Sequence, residues 1–135
     1  MAAGAALMAS TAAHAQISHG DHLNAAVANP LFDAASNCVK AGLVCIDHCM
    51  QAFAAGDTTL ASCARARDQM LSTCGTLAKL ASVRSSYLAA MAKVALAVCQ
   101  DCETECRKHA DKHAACKACG EACAACAEEC KKVAA

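Results

Sequence analysis

The stretch CKACGEACAACAEEC, residues 116–130, places a cysteine at every third or fourth position. Steps of three and four residues return a side chain to one face of an α-helix, so the pattern predicts a helix with a face made of thiols. From Cys99 to Ala135 the chain has no Leu, Ile, Met, Phe, Tyr or Trp, and Val133 is the one large aliphatic residue. A helix of this composition can bury only cysteine and alanine.

The other cysteines repeat this helical spacing in three earlier segments of the chain. Successive cysteines within a segment are separated by 7 and 4, by 11, or by 3 and 4 residues. These steps keep a side chain on the a/d seam that normally holds Leu and Ile in a helical bundle. We therefore predict that all thirteen cysteines face one core and are metal ligands: Cys38, Cys45, Cys49, Cys63, Cys74, Cys99, Cys102, Cys106, Cys116, Cys119, Cys123, Cys126 and Cys130.

Residues that begin or break helices set the expected boundaries. Asn29-Pro30 is a start signal for a first helix, and Gly56 ends it. The polar residues expected to begin the other helices are Asp57 or Thr58, Ser85 or Ser86, and Asp111. The helices are predicted at about 31–55, 58–80, 85–109 and 112–133. No segment alternates with period two, and short connections imply antiparallel neighbours. The predicted fold is all-α, an antiparallel four-helix bundle with a cysteine-lined core.

The 135 residues suffice for one small domain, predicted at residues 31–135. Residues 1–15 are small and apolar and end in Ala13-His14-Ala15, which is typical of an export signal with an A-x-A-like cleavage site. Residues 16–30 are expected to form a flexible lead-in, and the protein to be exported to the periplasm. The formal net charge is zero and the charges are mixed, so no nucleic-acid partner is expected. The apolar run is too short to span a bilayer, so no membrane partner is expected.

The small volume of the core side chains and the chemistry of thiol ligands together predict that metal ions occupy the core of the bundle. With two Phe, one Tyr and no Trp, a core of cysteine and alanine would be underfilled, and unfilled volume is costly. Many metal ions bound to sulfur would fill it. Thiolates favour soft ions such as Cu(I), and also Zn(II) and iron–sulfur clusters, but the ferredoxin cysteine run is absent. Structural zinc sites need four ligands that converge on one point, whereas cysteines on straight helices suit bridging ions.

Charge balance favours Cu(I) over Zn(II). Each Cu(I) that replaces a thiol proton leaves the core neutral, whereas a tetrathiolate zinc site carries a net negative charge that is costly to bury. The seam is expected to contain no buried Lys or Arg to offset that charge. We therefore expect about one Cu(I) per thiol.

An antiparallel bundle places the thiols at different depths in a tube. Cys49, Cys63, Cys106 and Cys116 are expected near the end that holds the first and third connections, here called the top. At the opposite end, the bottom, Cys38, Cys74 and Cys130 are expected to lie deep. The residues expected to plug the bottom are Leu77, Leu80, Tyr87, Leu88 and Met91. Metal is predicted to enter at the top.

Several other side chains are candidate ligands. His48 lies three residues after Cys45 and is either a ligand at the mouth or a polar residue of its rim. His109 and His113 at the helix ends are solvated or assist entry, and Met70 and Met50 are core filler or ligands. His14, His19 and His22 could bind metal weakly in the lead-in.

Three alternatives remain beside copper storage. The first is zinc or mixed-metal detoxification on the metallothionein model. The second is a disulfide-stapled bundle, although an odd number of cysteines and the wide i, i+4 spacing disfavour it. The third is a thiol redox enzyme, but no Cys-x-x-Cys pair is predicted at a helix N-terminus, where its pKa would fall. We therefore predict a storage protein, not an enzyme.

The run at residues 116–130, with CQDCETEC at residues 99–106, resembles the bacterial four-helix-bundle copper storage proteins over about residues 35–135. The resemblance is to the exported branch known from methane-oxidising bacteria. It implies a homotetramer of bundles, each holding many Cu(I) ions mainly through pairs of cysteines, with a mouth histidine that corresponds to His48. It also implies supply of copper to enzymes such as particulate methane monooxygenase.

Overall fold

The computed structural model describes residues 29–135, in which four α-helices and no strand are found. The helices are α1 (Pro30–Ala54), α2 (Ala61–Ser82), α3 (Leu88–Arg107) and α4 (Ala114–Val133). The predicted all-α fold is confirmed. The predicted export signal at 1–15, most of the lead-in at 16–30 and His14, His19 and His22 lie outside the described residues.

The four helices form a ring around a central core. Each helix packs against the helices before and after it in the chain, and α4 closes the ring against α1. The backbones of diagonal pairs of helices do not contact each other within the described residues. The connections at 55–60, 83–87 and 108–113 are short, so neighbouring helices are antiparallel. Each helix therefore presents one seam of side chains to a shared interior.

The first helix begins as the sequence predicts. Pro30 occupies its first turn, and the Oδ1 atom of Asn29 accepts a hydrogen bond of 3.1 Å from the backbone N–H of Phe32. The amide Nδ2 of the same asparagine donates to the carbonyl oxygen of Ala81, 3.1 Å away. Asn29 thus caps α1 and ties its start to the end of α2.

The predicted caps of α2 and α4 are wrong. The Oδ1 atom of Asp57 accepts from the backbone N–H of Thr59 within the connection, and α2 begins only at Ala61 without a side-chain cap. Likewise α4 begins after His113, not at Asp111. Backbone turns replace the caps here, as in the 2.9 Å bond from the N–H of His113 to the carbonyl oxygen of His109.

The third helix is shorter than predicted at both ends. The Oγ atom of Ser85 accepts a 3.2 Å hydrogen bond from the N–H of Tyr87, so this serine belongs to the preceding turn. The helix begins at Leu88 and ends at Arg107. Turn-forming hydrogen bonds thus compete with the helix at residues that sequence patterns assign to its first turn.

The bottom of the bundle is closed by packed aliphatic side chains. Leu31 and Leu77 are buried there, and buried alanines on all four helices let the helices approach closely. Leu88 and Met91 are half-buried at this end, but the prediction that Tyr87 helps to plug it is wrong. Tyr87 is 74% exposed because it precedes α3 and lies outside the seam. Among residues 29–135, no helix is long and apolar enough to cross a membrane.

Helices α1 and α2 approach closely at Gly42. A Cβ atom at this position would lie 2.6 Å from Cε of Met70 and 2.8 Å from Cδ2 of Leu71. Both contacts are shorter than van der Waals separation, so the glycine leaves room for two side chains of α2. Gly75, in the middle of α2, has no heavy atom within 4 Å of the corresponding Cβ position.

We predict opposite effects of alanine at these two glycines. Both substitutions gain helix propensity of about 1 kcal/mol, but only Gly42→Ala also overpacks the core, at a cost of about 1–3 kcal/mol. Gly75→Ala should therefore raise the free energy of unfolding above that of the wild type. The free energy of unfolding of Gly42→Ala should be lower than that of Gly75→Ala by the overpacking cost. Guanidinium unfolding of the reduced, metal-free proteins measures both. Equal stabilisation by the two variants would contradict the close approach.

Candidate metal centre

All thirteen cysteines lie inside the bundle with no exposed surface, and none is in a disulfide. Helix α4 contributes five, α1 and α3 contribute three each, and α2 contributes two. The predicted thiol-lined core is confirmed, while the role of each thiol as a ligand stays a prediction. The seam residues are Cys38, Cys45, Cys49, Cys63, Cys74, Cys99, Cys102, Cys106, Cys116, Cys119, Cys123, Cys126 and Cys130.

The thiols form two compact groups. In the deeper group, Cys38, Cys74, Cys99 and Cys126 come one from each helix, and their sulfur atoms all lie within 4.8 Å of one another. Within it, the Sγ atoms of Cys74 and Cys99 are 3.5 Å apart. The expectation that seam cysteines do not converge on one point is therefore wrong, since four helices bring one thiol each to the same depth.

The second group lies nearer the top and joins α3 to α4. The sulfur atoms of Cys102, Cys106 and Cys119 lie within 4.8 Å of one another. Two sulfur atoms that share an ion at the usual zinc–sulfur distance of about 2.3 Å lie within about 4.6 Å of each other. Both groups are therefore compact enough to hold metal with little movement.

Further sulfur contacts extend the two groups along the core. The Sγ atom of Cys63 lies 3.8 Å from that of Cys106, and Cys45 and Cys116 are separated by 3.7 Å. Cys38 in the deep group lies 3.6 Å from Cys123. These distances far exceed the S–S bond of about 2.05 Å, so the pairs are neighbouring thiols rather than disulfides. Sulfur atoms therefore occur at several depths of the core.

The core also holds an arginine, which the sequence analysis missed. The side chain of Arg67 is 0% exposed, and the expectation of a seam without buried Lys or Arg is wrong. Its guanidinium donates from Nη1 to the sulfur of Cys49 at 3.1 Å and from Nη2 to that of Cys63 at 3.0 Å. Nη2 also lies 3.3 Å from the sulfur of Cys106. The spacing in the sequence could have indicated this position. Arg67 follows Cys63 by four residues and precedes Cys74 by seven, which places it on the same face of the helix as the cysteines.

The thiols near Arg67 differ in the direction in which their pKa values are shifted. The hydrogen bond from Cys106, aided by the charge of Arg67, outweighs burial and lowers the pKa of Cys63 to about 6. Burial is the main cause that raises the pKa of Cys116 to about 11. Burial also tends to lower the pKa of Arg67, but contact with Cys119 and the charges of neighbouring thiolates raise it above its ordinary value. The guanidinium therefore remains a fixed positive charge.

The pKa values of neighbouring thiols are shifted in opposite directions in the deeper part of the core. The hydrogen bond with Cys123 is the largest influence that lowers the pKa of Cys99 to about 5. A hydrogen bond with Cys130 is the largest influence that lowers the pKa of Cys126, also to about 5. The pKa of Cys38 is raised, chiefly by its hydrogen bond with Cys123. Metal ions that bind here must displace the protons of the remaining thiols.

A group of histidines lies at the top of the bundle. Nε2 of His48 lies 2.8 Å from Nδ1 of His113, a hydrogen bond in which either ring donates according to its tautomer. The ring of His109 packs edge-on against that of His113, with centroids 6.3 Å apart. All three are half-buried. The structure therefore brings His48 and His113 together, a pairing that sequence spacing did not predict.

The two methionines differ in position. Met50 is 55% exposed on the outer surface of α1 and does not face the core. Met70 is fully buried against Gly42, where it fills the seam between the two thiols of α2. The aliphatic bottom contrasts with the histidine-bearing top, so the two ends of the tube differ in polarity.

Comparison with known proteins gives one family. A model of the copper storage protein family matches residues 24–135. A curated relative, the uncharacterized cysteine-rich protein YhjQ of Bacillus subtilis strain 168, is 30% identical over 103 residues. The alignment covers 76% of this chain and 92% of that protein.

Two solved structures share the fold of this chain. Copper storage protein 3 from Bacillus subtilis, in its apo form, is 29% identical with a TM-score of 0.69, and the match covers 78% of this chain and 97% of that one. Ccsp from Streptomyces lividans, loaded with 10 copper equivalents, is 26% identical with a TM-score of 0.70. This match covers 77% of this chain and 80% of that one. With a family match over most of its length and a bundle lined by thirteen buried thiols, this chain belongs to the copper storage protein family.

Proposed function

We propose that this protein stores Cu(I) inside its bundle at about one ion per thiol, with all thirteen cysteines as ligands. The observation that carries the proposal is the complete burial of thirteen unpaired thiols along one continuous interior. Soft thiolates suit Cu(I), and each ion that replaces a thiol proton adds no net charge to the core. Two solved structures that share this fold contain copper, one a Cu(I)-bound copper storage protein and the other loaded with copper.

Copper enters at the top in this proposal. His48 and His113 stand at the rim, and Cys49 is the next residue along α1 from His48. Imidazole nitrogen binds copper and can pass it to sulfur, which binds Cu(I) more strongly. From there the sulfur contacts lead to the deep group at Cys38, while the packed leucines close the opposite end. The two ends of the bundle thus support one direction of loading.

The biological setting follows from the family resemblance. We propose that the stored copper is supplied to copper enzymes and that storage protects the cell from free copper, without catalysis by the protein itself. Export to the periplasm rests on the A-x-A-like end of residues 1–15. A homotetramer is supported by the outer face of α1, where Leu43 and Val44 are more than half exposed.

A second candidate function is zinc binding on the metallothionein model. One specific observation favours it, the convergence of Cys38, Cys74, Cys99 and Cys126 within 4.8 Å. Four thiolates around one point match the tetrahedral geometry of structural zinc sites. One zinc ion at this place would not use the other thiols, whereas Cu(I) storage explains the whole seam.

We predict that the fully reduced protein binds about ten or more Cu(I) ions per chain in an anaerobic titration against a competing Cu(I) chelator. Free thiols are counted beforehand, so that oxidation is not mistaken for low capacity. Affinity should decrease as the pH is lowered, because protons compete for the thiolates. Saturation at one or two tightly held ions in the reduced protein would contradict storage.

Competition between metals separates the two functions. A protein preloaded with Zn(II) should release it when Cu(I) is added, because thiolate-rich sites prefer the softer ion. The variant Cys74→Ser, which breaks the four-thiol group, should lose zinc binding but retain most of the copper capacity. Retention of zinc in the presence of equimolar Cu(I) would favour the second candidate function instead.

Entry at the histidines predicts a kinetic effect. The double variant His48→Ala/His113→Ala should slow Cu(I) uptake by roughly an order of magnitude, the scale on which lost supporting groups weaken metal sites. The capacity should change little, because the thiols remain. Stopped-flow loading from a weak Cu(I) donor measures the rate, and the exposed neighbour Lys112→Ala is the matched control. An unchanged uptake rate in the double variant would place the entry elsewhere.

A further inference from the structure

Arg67 is the single charged residue buried within residues 29–135, and no carboxylate is buried with it. Its two terminal nitrogens contact only sulfur, at Cys49, Cys63 and Cys106. Its Nε atom is buried without a hydrogen-bond partner. The group that neutralises this guanidinium must therefore be found among the thiols.

A buried charge is stable only when an opposite charge or strong hydrogen bonds accompany it. Arginine does not lose its proton in proteins, so its charge cannot be removed by neutralisation. A thiolate beside the guanidinium supplies the missing negative charge, and the N–H···S contacts of 3.0 and 3.1 Å have the geometry for it.

The presence of this cation changes the charge balance of a copper-filled core. Each Cu(I) that binds replaces one thiol proton, which passes to solvent, so thirteen ions would balance thirteen thiolates in a core without other charges. Arg67 already balances one thiolate. A neutral core then holds one copper ion fewer than it has thiols, which is twelve for the thirteen cysteines.

We propose that Arg67 is a built-in counter-cation of the copper store, and that the core therefore saturates at twelve Cu(I) ions with a thiolate-rich site at Cys49, Cys63 and Cys106. The proposal rests on the proposed copper storage and refines its stoichiometry. Sulfur can accept a hydrogen bond from arginine while it binds copper, so the guanidinium and the metal can share these thiolates. Arg67 thus sets both the number of ions and the place where sulfur is in excess.

The next seam residue of α2 suggests methionine as an uncharged replacement for Arg67. Met70 is the next seam residue of α2 and is fully buried in the same interior. Methionine is flexible and of similar length to the aliphatic part of arginine, so Arg67→Met removes the charge and fills much of the volume. Arg67→Lys keeps a positive charge without the planar guanidinium. Arg65→Met, at an exposed position two residues earlier, is the matched control.

The test is native mass spectrometry of the reduced proteins after anaerobic loading with excess Cu(I) and exposure to a graded series of chelator concentrations. The technique resolves integer numbers of bound ions. We expect twelve in the wild type, in Arg65→Met and in Arg67→Lys, and thirteen in Arg67→Met, given the thirteen thiols of the chain. In the wild type, any thirteenth ion should be lost at a chelator concentration at least about tenfold lower than the twelfth.

Circular dichroism and a thiol count first establish that each variant is folded and reduced. If Arg67→Met holds the same number of ions as the wild type, or fewer, Arg67 is not the counter-cation and the proposal is overturned. If the wild type itself holds only one or two ions, copper storage fails and the proposal fails with it. A wild type that loads about ten or more ions, with no gain in Arg67→Met, overturns the role of Arg67 alone.

Discussion

The filling of the core is the constraint on which the rest of the structure depends. A bundle interior packs at the density of an organic crystal, and this one is lined mainly by cysteine and alanine, which are small. Of the three leucines buried in the described part of the chain, Leu31 and Leu77 lie at the bottom and Leu60 lies at the top. The remaining length of the seam presents sulfur atoms 3.5–3.8 Å apart, at van der Waals contact with one another. Thiols of different helices therefore contact one another directly across this part of the core.

Desolvation decides which charges such an interior can hold. Burial raises the cost of every thiolate, and it is the main cause that raises the pKa of Cys116. The Arg67 guanidinium has the opposite effect on its neighbours, because it offers a fixed positive charge where water is excluded. A store for a monovalent cation needs sites that become neutral when they are filled. The arginine shifts that balance locally, at the three sulfurs which it contacts.

The two ends of the tube differ for a physical reason. Leu31 and Leu77 pack at the bottom, whereas the rings of His48 and His113 form a hydrogen-bonded pair at the top, the end that also buries Leu60. An ion that leaves water needs ligands at every step, and imidazole at the rim followed by thiols supplies them. Membership of the copper storage family agrees with this arrangement.

The spacing of residues along a single helix is a local property, so the sequence by itself determined which face of each helix carries the cysteines. Steps of three, four, seven and eleven residues place every cysteine on one face, whatever surrounds the helix. The all-α class, the start of α1 at Asn29-Pro30 and the inward position of all thirteen thiols follow from that periodicity. The starts of α2 and α4 were less predictable, because turn hydrogen bonds compete with side-chain caps over a few residues.

What only the tertiary structure decided is how positions on different helices meet. Axial register and helix rotation are set by packing, and neither is written in the spacing of one helix. They bring Cys38, Cys74, Cys99 and Cys126 to one depth and place His48 beside His113. They also turn Arg67 inward, although an arginine in seam phase could equally extend its long side chain toward water. The sequence determined that thiols line the core, and the fold decided which of them come close together and where the one buried cation of residues 29–135 meets them.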